Sequence, residues 1–119
     1  MEKIIHYPVA DQKENGIRNK QYLLVPIQNI LFDQGMTNKV NEVCGIIAKE
    51  VGIKLLKRDP LPLLKWDKVF SDLRKKTPLD PITVKQFKKT KYYEVIQGRH
   101  RVVASLHERM THVPVILLE

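Results

Sequence analysis

Residues 93–104 read Tyr93-Glu94-Val95-Ile96-Gln97-Gly98-Arg99-His100-Arg101-Val102-Val103-Ala104. Tyr93 to Ile96 is rich in aromatic and β-branched side chains and predicts a strand. Gly98 then opens a helix predicted to run to about Arg109, with Arg99, His100 and Arg101 in its first turn. Along that helix Val103, Leu106 and Met110 share one face and are expected to pack inward, while Arg101, Ser105 and Arg109 share another. A helix start leaves backbone N–H groups without intrahelical partners, and the aligned peptide dipoles place partial positive charge there. Glycine allows an anion to approach the backbone closely, and arginine presents a planar fork that matches phosphate oxygens. The same residue types also suit an ordinary helix start with solvated arginines, so residue type alone leaves both readings open.

Working outward, Val113 to Leu118 is an apolar closing strand, and Lys88 to Lys91 is a lysine-rich turn between Tyr93–Ile96 and an earlier strand, Ile82-Thr83-Val84. Two prolines in Thr77-Pro78-Leu79-Asp80-Pro81 must break whatever precedes them. Before the break, Trp66, Val69, Phe70 and Leu73 recur at intervals of three and four, predicting an amphipathic helix over Lys65 to Lys76 with Trp66 and Phe70 in the core. Lys57 to Pro62 is a connection. Val40, Val43, Cys44, Ile47 and Val51 predict another helix, capped by Thr37 or Asn38 after a turn at Asp33 to Gly35 and stopped by Gly52. Gln21 to Ile30 contains a strand ended by Pro26, and the polar first twenty residues read as an N-terminal arm over 1–20, with a short strand at Ile4 and Ile5. The pattern is that of an α+β fold: a small mixed sheet with helices packed on it, in a single domain over 1–119.

The 119 residues, 43% apolar, suffice for one real core. One cysteine, Cys44, excludes an intramolecular disulfide and a thiolate-based zinc cluster. No apolar run is long enough to span a bilayer and the first residues lack a secretory pattern, so the expectation is an intracellular protein with no membrane partner. Residues 1–53 hold six basic and six acidic side chains, so the entire formal excess of +8 lies in residues 54–119. Such a field attracts polyanions. Nucleic acid is the favoured partner, with nucleotide and acidic protein left open, and Lys85, Lys88, Lys89, Lys91 and Arg109 are the candidate nucleic-acid surface. Asp80 and Glu94 are candidate catalytic acid/base or magnesium-positioning groups, and one of Tyr92 and Tyr93 is expected to be exposed and able to stack on a base. His100, His107 and His112 lack a carboxylate cluster to complete a ligand set, and no metal site is assigned to them. There is no Walker-type loop and no hydrolytic triad signature.

Gly98-Arg99-His100-Arg101-Val102-Val103-Ala104, with the strand before it and His112-Val113-Pro114-Val115 after it, resembles the signature of the ParB/sulfiredoxin-like superfamily, written G-E-R-R-x-x-A or G-x-H-R-x-x-A. Pro81-Ile82-Thr83-Val84 resembles the family's Pro-Ile-x-Val strand, and the likeness covers residues 63 to 118. It implies a phosphate- or nucleotide-binding domain with Gly98, His100 and Arg101 at the phosphates, taking a nucleoside triphosphate with Mg2+ or nucleic acid; Arg99, in the same helix turn, is a further candidate phosphate-binding residue by its type. The alternatives it carries are a nucleotide-dependent phosphotransferase or hydrolase, a metal-dependent nuclease, and a non-catalytic assembly protein on the same scaffold. Sulfiredoxins have a catalytic cysteine where Arg99 stands, so sulfinic acid reduction is not expected. Residues 31–60 exceed the family's usual connection and read as a helical insertion.

Overall fold

Strand composition and two proline-bounded breaks divide the chain into short elements that fold around one sheet, as the computed structural model describes for residues 3–10, 13–14, 17–18, 22–45, 52–57, 63 and 66–118. In order they form β1 (Lys13–Glu14), β2 (Ile17–Arg18), β3 (Leu23–Pro26), a 3₁₀ turn (Ile27–Asn29), β4 (Ile30–Phe32), α1 (Gln34–Cys44), β5 (Lys54–Leu55), α2 (Trp66–Arg74), β6 (Ile82–Gln86), β7 (Tyr93–Gln97), α3 (Arg99–His107) and β8 (His112–Leu118). β1 and β2 pair with each other, and the remaining strands join in the order β3-β8-β6-β7-β4-β5. β3 with β8 and β6 with β7 are antiparallel; β8 with β6, β7 with β4 and β4 with β5 are parallel. Alternation along β6 and β7 sends Ile82, Val84 and Val95 to the covered face, where they meet Val102 and Val103 of α3 in one core. α3 lies against both α1 and α2. Among the described residues no helix is long and apolar enough to cross a membrane.

The α+β expectation holds, and four local details differ from it. Asp33, read as part of a turn, is the N-cap of α1: its Oδ1 accepts from the Met36 amide at 2.9 Å, so neither Thr37 nor Asn38 caps the helix. That helix ends at Gly45, whose φ of 65° is left-handed, while the expected continuation through Ile47 and Val51 falls outside the described residues. Of the helical insertion expected over 31–60, the described residues form β4, α1 and β5, the last at the sheet edge, with Leu31 beside Lys54 and Phe32 beside Leu55. Ser105, read as sharing a face of α3 with Arg101 and Arg109, is fully buried while Arg109 is exposed; its hydroxyl donates to the Arg101 carbonyl at 2.7 Å and needs no water.

Residues 3–10, expected as part of an arm over 1–20, are tied into the fold. The Ile5 carbonyl accepts from the amides of Thr111 and His112, and backbone bonds join Pro8 and Ala10 to Leu79. Tyr7 is fully buried among the core residues, so this segment is a strap across the ends of β6 and β8.

Candidate functional site

β7 and β4 are neighbouring parallel strands, and each runs directly into a helix. The starts of α3 and α1 therefore meet at one end of the sheet, and β6 begins at the same end, where Thr83 is level with Gln97. Carboxyl ends of parallel strands are where open α/β sheets receive ligands.

Gly98 makes the turn from β7 into α3 with φ of 108°, a region that L side chains rarely adopt. As the N-cap of α3, Gly98 has no side chain to accept from the first-turn amides. A Cβ at Gly98 would stand 2.9 Å from Arg101 Nη2, 3.1 Å from Arg101 Nε and 3.1 Å from Ile82 Cγ1. The Arg101 guanidinium is thus folded over the glycine, and the absence of a side chain there is what admits it. Its Nη1 donates to the Asp80 carbonyl at 2.7 Å. The Tyr7 hydroxyl donates to that same carbonyl at 2.6 Å, so the turn before β6 is held from two sides. Burial pushes the Tyr7 phenol far above its ordinary value, with the nearby Arg101 charge opposing and the Asp80 charge adding to the rise. The sign follows directly: this phenol stays protonated when folded, so its contribution to stability is present below the ordinary tyrosine range near 10 and is lost as pH rises beyond it.

Arg99 is placed quite differently. Its Nε donates to Asp33 Oδ2 at 2.7 Å and its Nη2 to Asp33 Oδ1 at 2.8 Å, a bidentate ion pair. Asp33 is completely buried, and the Arg99 side chain is 14% exposed. The carboxylate that caps α1 thereby also anchors the first residue of α3. His100, next in the same turn, is half-buried.

The remaining candidates are spread out. Glu94 is level with Lys85 on β6 and with Leu31 on β4. It precedes Gly98 by four residues, roughly 13 Å along a strand, so Glu94 and Asp80 do not form a carboxylate pair at the junction. Lys85, Lys88, Lys89 and Lys91 occupy or flank the β6–β7 hairpin, at the opposite end of that ladder from Gly98. Lys88 Nζ lies 5.2 Å from the Phe87 ring centroid, and Lys91 Nζ lies 5.6 Å from that of Tyr92. Lys54 of β5, which the sequence does not assign to this surface, brings its Nζ to 5.4 Å from the same Tyr92 ring. Two ammonium groups therefore lie beside the half-buried Tyr92 ring, and Tyr93 packs against the core. Arg109, exposed with φ of 59°, belongs to the connection into β8, whose first residues extend past the Ile82 end of β6, away from the hairpin lysines. His107 is edge-on to Phe70 at 4.6 Å and bonded to Glu108 through Nδ1 at 2.9 Å, and Trp66 and Phe70 stack at 5.3 Å between α2 and α3. Burial raises the Cys44 thiol above its ordinary value.

The ParB N-terminal domain family model matches residues 36–119. No curated protein matches the chain. A C-terminally truncated chromosome-partitioning protein ParB from Caulobacter crescentus, complexed with CTP-γ-S, is similar in fold: TM-score 0.53 and 17% identity, covering 84% of this chain and 45% of that one. A conserved hypothetical protein from Pyrococcus furiosus gives TM-score 0.52 and 13% identity, covering 94% of this chain and 34% of that one. The chain thus spans less than half the length of either.

Proposed function

This chain belongs to the ParB N-terminal domain family, and from that premise we propose that it is an intracellular nucleotide-binding module that seats phosphates at the β7–α3 junction. The observation that carries this reading is the Arg101 guanidinium folded over Gly98, with Nη1 tethered to the Asp80 carbonyl. No hydrogen bond runs from its Nε or Nη2 to another described residue, which leaves the bidentate edge of the fork for an anion. The α3 N-terminus, which opens at Gly98, adds the partial positive charge of its dipole on the same side. Mg2+ would arrive with the nucleotide, on its own phosphates. The Caulobacter relative's ligand makes CTP the first probe. Calorimetric titration with CTP and Mg2+ should give saturable binding that Arg101→Ala weakens by about 1.5–3 kcal/mol, the worth of a charged hydrogen bond, with little change in thermal stability. Equal affinity for wild type and variant overturns the reading; a large loss of stability at unchanged affinity marks Arg101 as a structural residue instead.

Nucleic acid would bind the chain through the hairpin lysines. A compact nucleotide at Gly98 does not reach a hairpin one ladder length away, whereas a polymer spans both. Reversing Lys88, Lys89 and Lys91 to Glu should lower affinity for short duplex DNA or RNA and flatten its dependence on salt, by roughly 0.9 in logarithmic slope for each duplex phosphate that is no longer neutralised. CTP affinity should be retained. Binding that is indifferent to salt in the wild type removes this part of the proposal.

One observation favours a catalytic version. Asp80, whose backbone carbonyl accepts from Arg101 Nη1 and whose charge helps raise the Tyr7 phenol, is the carboxylate such a version would use. If the module hydrolyses or transfers a phosphoryl group, Asp80→Asn should abolish turnover and spare CTP binding. A wild type that binds CTP without turnover is a binding module, and one that folds without nucleotide affinity fits a non-catalytic assembly protein.

A further inference from the structure

Two arginines lie two residues apart in the first turn of α3, and they present the same Nε/Nη2 edge to opposite partners. In Arg99 that edge is filled by Asp33 in two bonds of 2.7 and 2.8 Å. In Arg101 it lies over Gly98. Asp33 is well suited to hold its arginine permanently. It is fully buried, its Oδ1 is fixed independently by the Met36 amide, and its own carbonyl accepts from the Thr37 amide at 2.9 Å and the Thr37 hydroxyl at 3.0 Å. A phosphate cannot draw Arg99 away without leaving a buried carboxylate beside a second anion, which is unfavourable on both counts.

We infer that Asp33 withholds the Arg99 fork from the ligand and so sets the charge an incoming phosphate meets, leaving recognition to Arg101 and the α3 amides. Asp33 is then a positioning residue that limits affinity at the site it supports, and Arg99 is its anchor rather than a phosphate ligand. This rests on the proposed nucleotide site and specifies how that site is tuned. In Asp33→Asn the amide oxygen can still cap α1, but the negative charge is gone and Arg99 is no longer held by it.

The test is CTP titration of the wild-type chain and Asp33→Asn at two salt concentrations. Removing one negative charge beside the phosphates should tighten binding roughly three- to tenfold, with a steeper loss of affinity on adding salt. The melting temperature should fall at the same time. A merely structural role predicts the fall alone. Wild-type binding that Asp33→Asn leaves equal or weaker overturns the inference and spares the nucleotide site; absence of CTP binding in both proteins overturns the site and the inference together. Should Asp33→Asn not fold, the arginine side-chain resonances of wild type at CTP saturation give the answer. Arg101 Nε should move and Arg99 Nε should stay near its ligand-free position; an Arg99 shift as large as that of Arg101 overturns the inference.

Discussion

Asp33→Ala lowers the stability of the fold by about 3–5 kcal/mol, the cost of leaving one member of a buried ion pair without its partner. Against a total of roughly 5–15 kcal/mol for a domain of this size, the variant stands near the edge of folding at 37 °C. Two effects add. The Met36 amide loses its cap, worth about 1 kcal/mol, and the guanidinium of Arg99, only 14% exposed, loses the bidentate carboxylate that holds its fork. They separate experimentally. Asp33→Asn retains the cap and should fall between wild type and Asp33→Ala in urea denaturation. Pairing Asp33→Ala with Arg99→Met removes the other half of the ion pair and should recover part of the loss, so the double variant is more stable than additivity of the single changes requires. If Asp33→Ala costs less than about 1 kcal/mol, comparable to losing the cap alone, the ion pair contributes nothing net and the coupling of α1 to α3 through it is wrong.

That coupling also marks where sequence reading stops. The strand, glycine and helix of residues 93–107 are legible because each is a local matter: β-branched and aromatic composition, one residue free to take positive φ, and apolar spacing along a helix. The two-proline break before β6 is legible for the same reason. Asp33 is visible as a turn former, but a turn and an N-cap draw on the same residue types, and the amide it caps is identified only once the helix start is known. Nothing local announces that Arg99 finds a partner 66 residues earlier, since the ion pair exists only because β4 and β7 are neighbours in the sheet. Arg99 and Arg101 are indistinguishable by type and spacing; the structure separates them by direction. Ser105 reads as outward on its polarity, and the helix satisfies that polarity internally. Tyr7 lies in a polar N-terminal stretch with no periodic signal, and its burial follows from backbone bonds to Leu79 and Thr111 that no local rule foresees. The lysine cluster is legible as charge, but Lys54 joins it only through the position of β5 at the sheet edge.

Gly98→Ala should damage both the fold and the site, and the two losses can be told apart. A backbone held at φ of 108° costs a non-glycine residue about 1–3 kcal/mol. The new methyl must also displace what lies within 3.1 Å: Ile82 Cγ1, packed in the core, and the Arg101 guanidinium, the far end of a flexible side chain. The arginine is the softer neighbour and moves first. Displacement breaks its bond to the Asp80 carbonyl and takes the fork off the α3 start, so CTP affinity should fall at least as far as in Arg101→Ala. Gly45→Ala provides the control, because Gly45 is also left-handed, at φ of 65°, yet a Cβ there meets nothing within 4 Å. It should cost about 1 kcal/mol of backbone strain and leave CTP binding intact. Loss of affinity in Gly98→Ala but not in Gly45→Ala, with Gly98→Ala still folded at the temperature of the titration, ties the function of Gly98 to the space it leaves for Arg101. Equal affinities in all three proteins would mean that the guanidinium over Gly98 is packing alone, and that the phosphates, if they bind, are held by other groups.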